Sequence, residues 1–273
     1  MRHEILCKST RAGKKDWGDL ERDAIQKFYK TGLVDFMRKQ YTAYYTKSRE
    51  GDIMKLTYKQ IKNSEEINIL IEKGNEVLGK LGYTEHSKKH AAKVAETAAM
   101  ILRELGCEEH AVELCKIAGY MHDIGNSINR EDHAHSGAIL AYQILKEMGM
   151  PLADAASVAA AIGNHDEKTG TAFDVVSAAL ILADKTDVRR NRVRNHVITS
   201  FDAHDRVNYA VLSANLTVNR EKKTIQREME LDDTMCTVID YFEIFLERML
   251  MCRRAAEVLG CKFKLIANGS KLS

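Results

Sequence analysis

Proline is almost missing from this chain: Pro151 is the one proline in 273 residues, and glycine contributes 16. So few breakers argue for long helices and against an all-β sandwich of many short strands. No apolar run approaches the length of a membrane span, and Met1 to Ile5 is too polar to open a secretory signal. The six cysteines, Cys7, Cys107, Cys115, Cys236, Cys252 and Cys261, never form a Cys-x-x-Cys pair. They are read as reduced thiols, several of them core fillers, in a cytoplasmic protein. A net charge of +2 supplies no global field to draw the chain to a membrane or to nucleic acid.

What is present is ordinary for a soluble globular protein: 45% hydrophobic and 29% charged residues, enough for one large domain or two small ones. Residues 1–53 stand apart, rich in Lys, Arg and Tyr with weak apolar periodicity, and are expected to be a loosely attached extension. Better patterning begins at Met54. Residues 54–206 are expected to form a helical metal-binding core, and residues 207–273 a β-hairpin and a long helix packed on the same domain.

Ile67, Leu70, Ile71, Val77 and Leu78 keep a helical period between Ser64 and Gly82. Thr84 is then expected to cap a helix that runs to Leu105 and stops at Gly106, with His86 and His90 on or near one face. Residues 108–124 form the next helix, with Gly125 as its terminator. A polar loop, 126–133, leads to a helix opening at His135. Pro151 suits the first position of a helix ending at Gly163. Residues 172–183, apolar and small, read as a buried central helix ended by Asp184 and Lys185. Residues 210–218 and 223–231 alternate around a polar turn, as a hairpin does. Asp232 or Thr234 is expected to cap a last helix, 235–259, and residues 261–266 to add one strand.

His122 and Asp123 stand side by side where an apolar run stops. Adjacent helical residues point about 100° apart, so they converge on one point only if the helix ends there. An isolated pair of this kind is more often a solvated helix end. Here His86, His90, His133, His135, His165 and Asp184 also fall at element boundaries or on apolar-periodic segments of the central third. Imidazole and carboxylate together suit a divalent transition metal. The plainer alternatives are a satisfied core histidine at His90 and, at Asp184, a salt bridge to Lys185 or Arg189; a carboxylate ending a buried helix has to be paired or ligated. Arg189, Arg190, Arg192 and Arg194 form a run that is usually a solvated face. Behind a metal site it could clamp phosphate bidentately, with one or two of the four facing inward because their helical phases differ.

Together, His90, the pair His122-Asp123 and Asp184 resemble the H…HD…D signature of the HD-domain superfamily of metal-dependent phosphohydrolases. The contexts His90-Ala-Ala-Lys-Val-Ala, Met121-His-Asp-Ile-Gly and Ala183-Asp184-Lys185 match too, over roughly residues 84–190. The rest of the chain is similar to uncharacterised bacterial HD proteins with a C-terminal hairpin. The resemblance implies a mostly α fold, an HD-domain helical bundle with a small C-terminal antiparallel β element. It implies His90, His122, Asp123 and Asp184 as ligands of one metal. His135 and His165 resemble the extra ligands of dinuclear members such as the HD-GYP phosphodiesterases, and His86 sits where some of those carry a further carboxylate ligand. Asn164-His165-Asp166 stands in place of the His-His-Glu of that group and no Gly-Tyr-Pro comes after it, which counts against cyclic di-GMP.

The implied cofactor is a divalent transition metal, two ions of Mn, Fe, Co, Ni or Zn, bridged by Asp123. Asp123 and Lys185 would be the catalytic residues, with Asn126, Arg130, Arg189 and Arg190 on the substrate. The implied activity is hydrolysis of a phosphate ester, as a phosphomonoesterase or phosphodiesterase, on a small nucleotide-like substrate. Nucleic acid stays open as a partner, and a homodimer is compatible with the pattern. One alternative is an HD-type diiron oxygenase, since inositol oxygenase and a phosphonate-cleaving HD oxygenase use the same ligand types. Another is a non-enzymatic nucleotide-sensing or RNA-associated module built on the arginine run.

Overall fold

The computed structural model describes residues 56–195 and 197–272, so the extension expected over residues 1–53 lies outside the described residues. The helical part comprises α1 (Tyr58–Lys62), α2 (Glu65–Lys80), α3 (Lys88–Glu104), α4 (Glu109–Met121), a 3-10 turn (Ile124–Ser127), α5 (His133–Glu147), α6 (Leu152–Gly163), α7 (Val175–Lys185) and α8 (Ala203–Ala210). After it come β1 (Val211–Asn219), β2 (Thr224–Leu231), α9 (Val238–Val258), β3 (Lys262–Ala267) and β4 (Ser270–Lys271).

Helix α7 is the hub. Every residue from Val176 to Ala183 is at most 1% exposed. A helix apolar on all sides must be wrapped, and α3, α4, α6 and α9 pack around it. Asp174 starts it: its carboxylate accepts from the Ser177 amide, and the Ser177 hydroxyl sits against the Asp174 amide. Asp184 and Lys185 therefore emerge from the middle of the molecule.

Two glycines set the geometry of the neighbouring helices. A Cβ on Gly119 would lie 2.7 Å from the Ala95 Cα, so α3 and α4 touch backbone to backbone there. That contact brings His122, one turn beyond Gly119, against His90 on α3. Gly125 was expected as the terminator of α4, but the helix already ends at Met121 and the φ of Gly125 is not positive. Its role is close approach: a Cβ there would fall 2.0 Å from the His133 carbonyl oxygen and 2.5 Å from the Gly137 amide nitrogen. The turn after His122-Asp123 is thus pressed onto the first turn of α5.

Several boundaries differ from expectation for local reasons. Ser87, not Thr84, caps α3, accepting from the Lys89 amide; Thr84 and His86 lie in the preceding loop. Helix α5 opens at His133, two residues before the expected start, after Asp132 in the left-handed region at φ 56°. The cap of α9 is Thr237, whose hydroxyl accepts from the Asp240 amide while the Asp240 carboxylate accepts from the Thr237 amide.

The hairpin pairs Asn219 with Thr224 and Val211 with Leu231. The sheet, ordered β1-β2-β3-β4, is mixed: β3 runs parallel to β2. The hairpin is antiparallel as expected, and the strand expected after α9 joins it in parallel because α9 carries the chain back to the starting end of β2. One continuous apolar core joins the helices to the sheet, from Leu56 to Ala267, and Cys115, Cys236, Cys252 and Cys261 are buried free thiols. Among the described residues no helix is long and apolar enough to cross a membrane.

Candidate metal centre

Four imidazoles converge on the Asp123 carboxylate in two facing pairs. In the first, His90 from α3 and His122 from the end of α4 bring their Nε2 atoms within 3.3 Å of each other. Asp123 Oδ2 lies 3.6 Å from His90 Nε2 and 3.2 Å from His122 Nε2, and Asp184 Oδ1 lies 3.4 and 3.5 Å from the same atoms. In the second pair, His133 and His165 hold their Nε2 atoms 3.2 Å apart, with Asp123 Oδ1 3.6 and 3.9 Å away. The two carboxylate oxygens of Asp123 thus face different pairs.

The other ring nitrogen of each imidazole is committed. His90 Nδ1 donates to Asp187 Oδ2 at 2.8 Å and His122 Nδ1 to the Gly119 carbonyl at 2.9 Å. His133 Nδ1 donates to the Arg130 carbonyl at 3.1 Å and His165 Nδ1 to the Ile162 carbonyl at 2.6 Å. With Nδ1 protonated, a neutral ring presents a bare lone pair at Nε2. Lone pairs facing each other at such distances repel unless a cation lies among them; at the second pair Arg130 Nη1 also lies 3.3 Å from His133 Nε2. Asp123 Oδ2 is also buried without a hydrogen-bond donor. The donor set therefore fits divalent metal: His90, His122 and Asp123 form one group of possible ligands, with Asp184 beside them, and Asp123, His133 and His165 form another.

At the first pair the two carboxylates would hold a proton on the imidazoles where no metal takes its place. Burial alone would depress the His122 pKa, but Asp123 and Asp184 outweigh it and hold it up at about 10. His90 is raised in the same way, against its own burial and Arg192, by Asp123, Asp184 and Asp187. For His133 and His165 burial wins and the pKa falls. The first pocket attracts positive charge strongly, and the second keeps its imidazoles neutral.

A cavity opens onto these ligands, and every side chain that lines it is polar: Thr84, His86, Asp123, Arg130, His133, His165, Asp184, Lys185, Arg192, Asn208 and Arg248. Lys185 Nζ lies 2.7 Å from Glu167 and 2.9 Å from Asp184. Burial depresses its pKa, but these carboxylates outweigh that and keep it protonated. His86, its Nδ1 donating to the Thr84 carbonyl at 2.7 Å, stacks edge-on to His90 with ring centroids 5.4 Å apart and is held neutral by burial and Arg192.

The structure brings together His90, His122, Asp123, His165, Asp184, Lys185, Arg130 and His86 from the expected set. His135 is not among them. It is 54% exposed and faces Asp132 at 3.5 Å, while buried His133 takes the expected place. Starting the helix two residues late rotates a side chain by roughly 200°, to the far face. Asn126 does not line the cavity. It donates to Asp123 Oδ1 at 2.8 Å and orients that carboxylate. Arg189 and Arg190 are also turned away. Arg189 grips Asp187 through Nε at 2.6 Å and Nη2 at 2.9 Å; Arg190 donates to the Tyr209 carbonyl and lies 4.4 Å from the Tyr209 ring centroid. Of the arginine run, Arg192 reaches the cavity, anchored through Nε to the Glu85 carbonyl at 2.9 Å and Nη1 to the Asp187 carbonyl at 2.7 Å. Arg192 is thus the member of the run that faces inward, while Asp187 and Arg248 are contributors that patterning did not single out. Arg248 did leave a signal: it stands two helical turns beyond Tyr241 and three residues beyond Phe245, a charge in the apolar stripe of α9.

Residues 88–207 match the family model described as HD domain. The chain carries an HD domain. Around that domain the chain is similar to an uncharacterised protein of Methanocaldococcus jannaschii, 28% identical over 204 residues that make up 66% of this chain and 78% of that one. Ribonuclease Y of Thermosipho melanesiensis is 26% identical over 172 residues, 60% of this chain and 33% of that protein. Ribonuclease Y of Deinococcus radiodurans is 32% identical over 123 residues, 44% of this chain and 19% of that protein. The chain therefore spans a third or less of these two ribonucleases. A crystal structure described as an HD superfamily hydrolase from an uncultured Thermotogales bacterium aligns with a TM-score of 0.36 at 28% identity, over 45% of this chain and 67% of that one. Arg248 and the sheet lie beyond the end of the matched HD domain.

Proposed function

We propose that this protein is a metal-dependent phosphohydrolase acting on a phosphate ester of a nucleotide-like substrate. The observation that carries this reading is the pair of facing imidazole couples on the two oxygens of Asp123, opening into a cavity with Lys185, Arg130, Arg192 and Arg248 on its wall. Metal bound there would lower the pKa of a water and withdraw charge from a phosphoryl oxygen. In the reaction, the water oxygen bonds to phosphorus, the bond from phosphorus to the ester oxygen breaks, and that oxygen leaves as the alcohol after taking a proton. The part of this chain is to hold the phosphate. Arg192 and Arg130 supply planar donor pairs matched to its oxygens, and protonated Lys185 adds a point charge.

The nucleotide-like character of the substrate is supported by the ribonucleases Y among the relatives. The cationic wall fits an anionic phosphorus group; a phosphonate would use the same donors, so dependence on oxygen is what separates this reading from the diiron oxygenase alternative. The test is elemental analysis of the purified protein together with a panel of phosphomonoesters and phosphodiesters, assayed with and without oxygen. Metal-dependent release of alcohol under anaerobic conditions is the expected result. Turnover that requires oxygen would replace this reading with the oxygenase, and Asp123→Ala that folds and keeps full turnover would refute both.

A further inference from the structure

Arg248 sits where no HD ligand is expected. It comes from α9, some forty residues past the matched domain, yet it lines the same cavity as Asp123 and Asp184. It is fixed in place: its Nε lies 3.1 Å from Glu167 Oε1, and the other oxygen of Glu167 lies 2.7 Å from Lys185 Nζ, itself 2.9 Å from Asp184 Oδ2. One carboxylate thus holds two cations side by side, and Arg248 connects through it to a metal-site residue. Among the described residues Arg248 donates through Nε, its guanidinium lies 4.7 Å from the Phe245 ring centroid, and a ligand in the cavity would be met by the terminal nitrogens.

The composition of the wall bears on which ester fits. A phosphomonoester carries close to two negative charges near neutral pH and three non-bridging oxygens, whereas a diester carries one charge and two such oxygens. Arg130, Arg192, Lys185 and Arg248 arrive from four different segments, more cationic donors than a single monoanion uses. A diester has a second organic substituent to house, and among the described residues no apolar side chain, and no Phe, Tyr or Trp, lines the cavity for it.

Resting on the phosphohydrolase reading, we propose that Arg248 is a substrate-binding residue that receives the outer oxygens of a terminal phosphate, so that the C-terminal helix makes the site selective for phosphomonoesters over phosphodiesters.

The test measures binding and turnover separately on the metal-loaded full chain. Orthophosphate binding is monitored by titration calorimetry, and kcat/KM is measured for p-nitrophenyl phosphate and bis(p-nitrophenyl) phosphate. Wild type should prefer the monoester. Arg248→Ala should weaken orthophosphate binding and monoester kcat/KM by about tenfold or more, leave the diester within a few-fold, and keep the metal content and Tm of wild type. Arg248→Lys should recover part of the loss. Arg248→Gln, which keeps the length of the side chain, serves if the alanine variant does not fold. A wild-type preference for the diester would overturn the proposal, and so would unchanged orthophosphate binding in both Arg248→Ala and Arg248→Gln. If wild type turns over neither these esters nor any of the panel, the phosphohydrolase reading fails, while the calorimetry still decides whether Arg248 receives phosphate.

Discussion

At the scale of single residues, Asp187 has the most leverage for its distance from the cavity. It accepts from His90 Nδ1 at 2.8 Å and is gripped in turn by Arg189, with Arg192 Nη1 3.6 Å from its Oδ2. Its carboxyl pKa lies well below the ordinary range: burial raises it, but His90, Arg192 and Arg189 together outweigh that. It therefore stays ionised and fixes the His90 tautomer that points Nε2 at the metal site. Partners of this kind typically contribute about 10–100-fold to metal affinity. Asp187→Asn should weaken metal binding by that order in a chelator competition while leaving helicity intact, and an unchanged affinity would show that anchoring by a backbone carbonyl, as at Gly119, is enough. The paired histidines give a second residue-scale contrast. His133→Ala should lower bound metal from two equivalents towards one, whereas His135→Ala, with an exposed side chain, should change neither metal content nor Tm. The reverse outcome would place the α5 ligand at His135.

The element scale shows what can be read from a sequence and what cannot. Helix α7 was legible because its apolar residues run unbroken, and the hairpin because its alternation is strict around a polar turn. His122, Asp123 and Asp184 were legible because they stand where helices end, and His90 through the signature it forms with them. What escaped depended on where helices begin. The start of α5 is set by Asp132 in the left-handed region and by the contact at Gly125, neither of which appears in hydrophobic periodicity, so the choice between His133 and His135 went to the wrong face. Arg189 and Arg190 escaped because their run is a short 3-10 turn with extended flanks rather than a helix, which spends each guanidinium on a different neighbour. The contact at Gly125 is testable. A methyl group there would sit 2.0 Å from the His133 carbonyl, so the first turn of α5 has to retreat from the 3-10 turn that follows α4. Overpacking of this kind usually costs about 1–3 kcal/mol. Gly125→Ala should lower Tm and, because His133 moves with the turn, cost more metal at the His133–His165 pair than at the His90–His122 pair. A variant with wild-type Tm and metal content would mean that α5 adjusts freely.

At the scale of the whole molecule, the question is whether the HD domain stands without its C-terminal neighbours, α9 and the sheet. The matched stretch ends at residue 207, but α9 packs along α7, the helix that ends in Asp184. Tyr241, Phe245, Met249 and Met251 on α9 are each 5% exposed or less. Burying a large apolar side chain contributes about 1.5–3 kcal/mol, so these four together supply roughly 6–12 kcal/mol, comparable to the ~5–15 kcal/mol by which a whole domain is stable. Removing them would also uncover the apolar face of α7. A chain cut after residue 207 should therefore fail to fold cooperatively and should hold no stoichiometric metal, whereas a chain starting at Met54 should keep both its fold and its metal. The comparison is made by circular dichroism melts and elemental analysis of the two truncations side by side. A cooperative melt with two equivalents of metal in the chain ending at 207 would show that the helices form an autonomous unit and that α9 and the sheet are an attachment. Loss of metal in the chain starting at Met54 would show that the first fifty residues belong to the core after all.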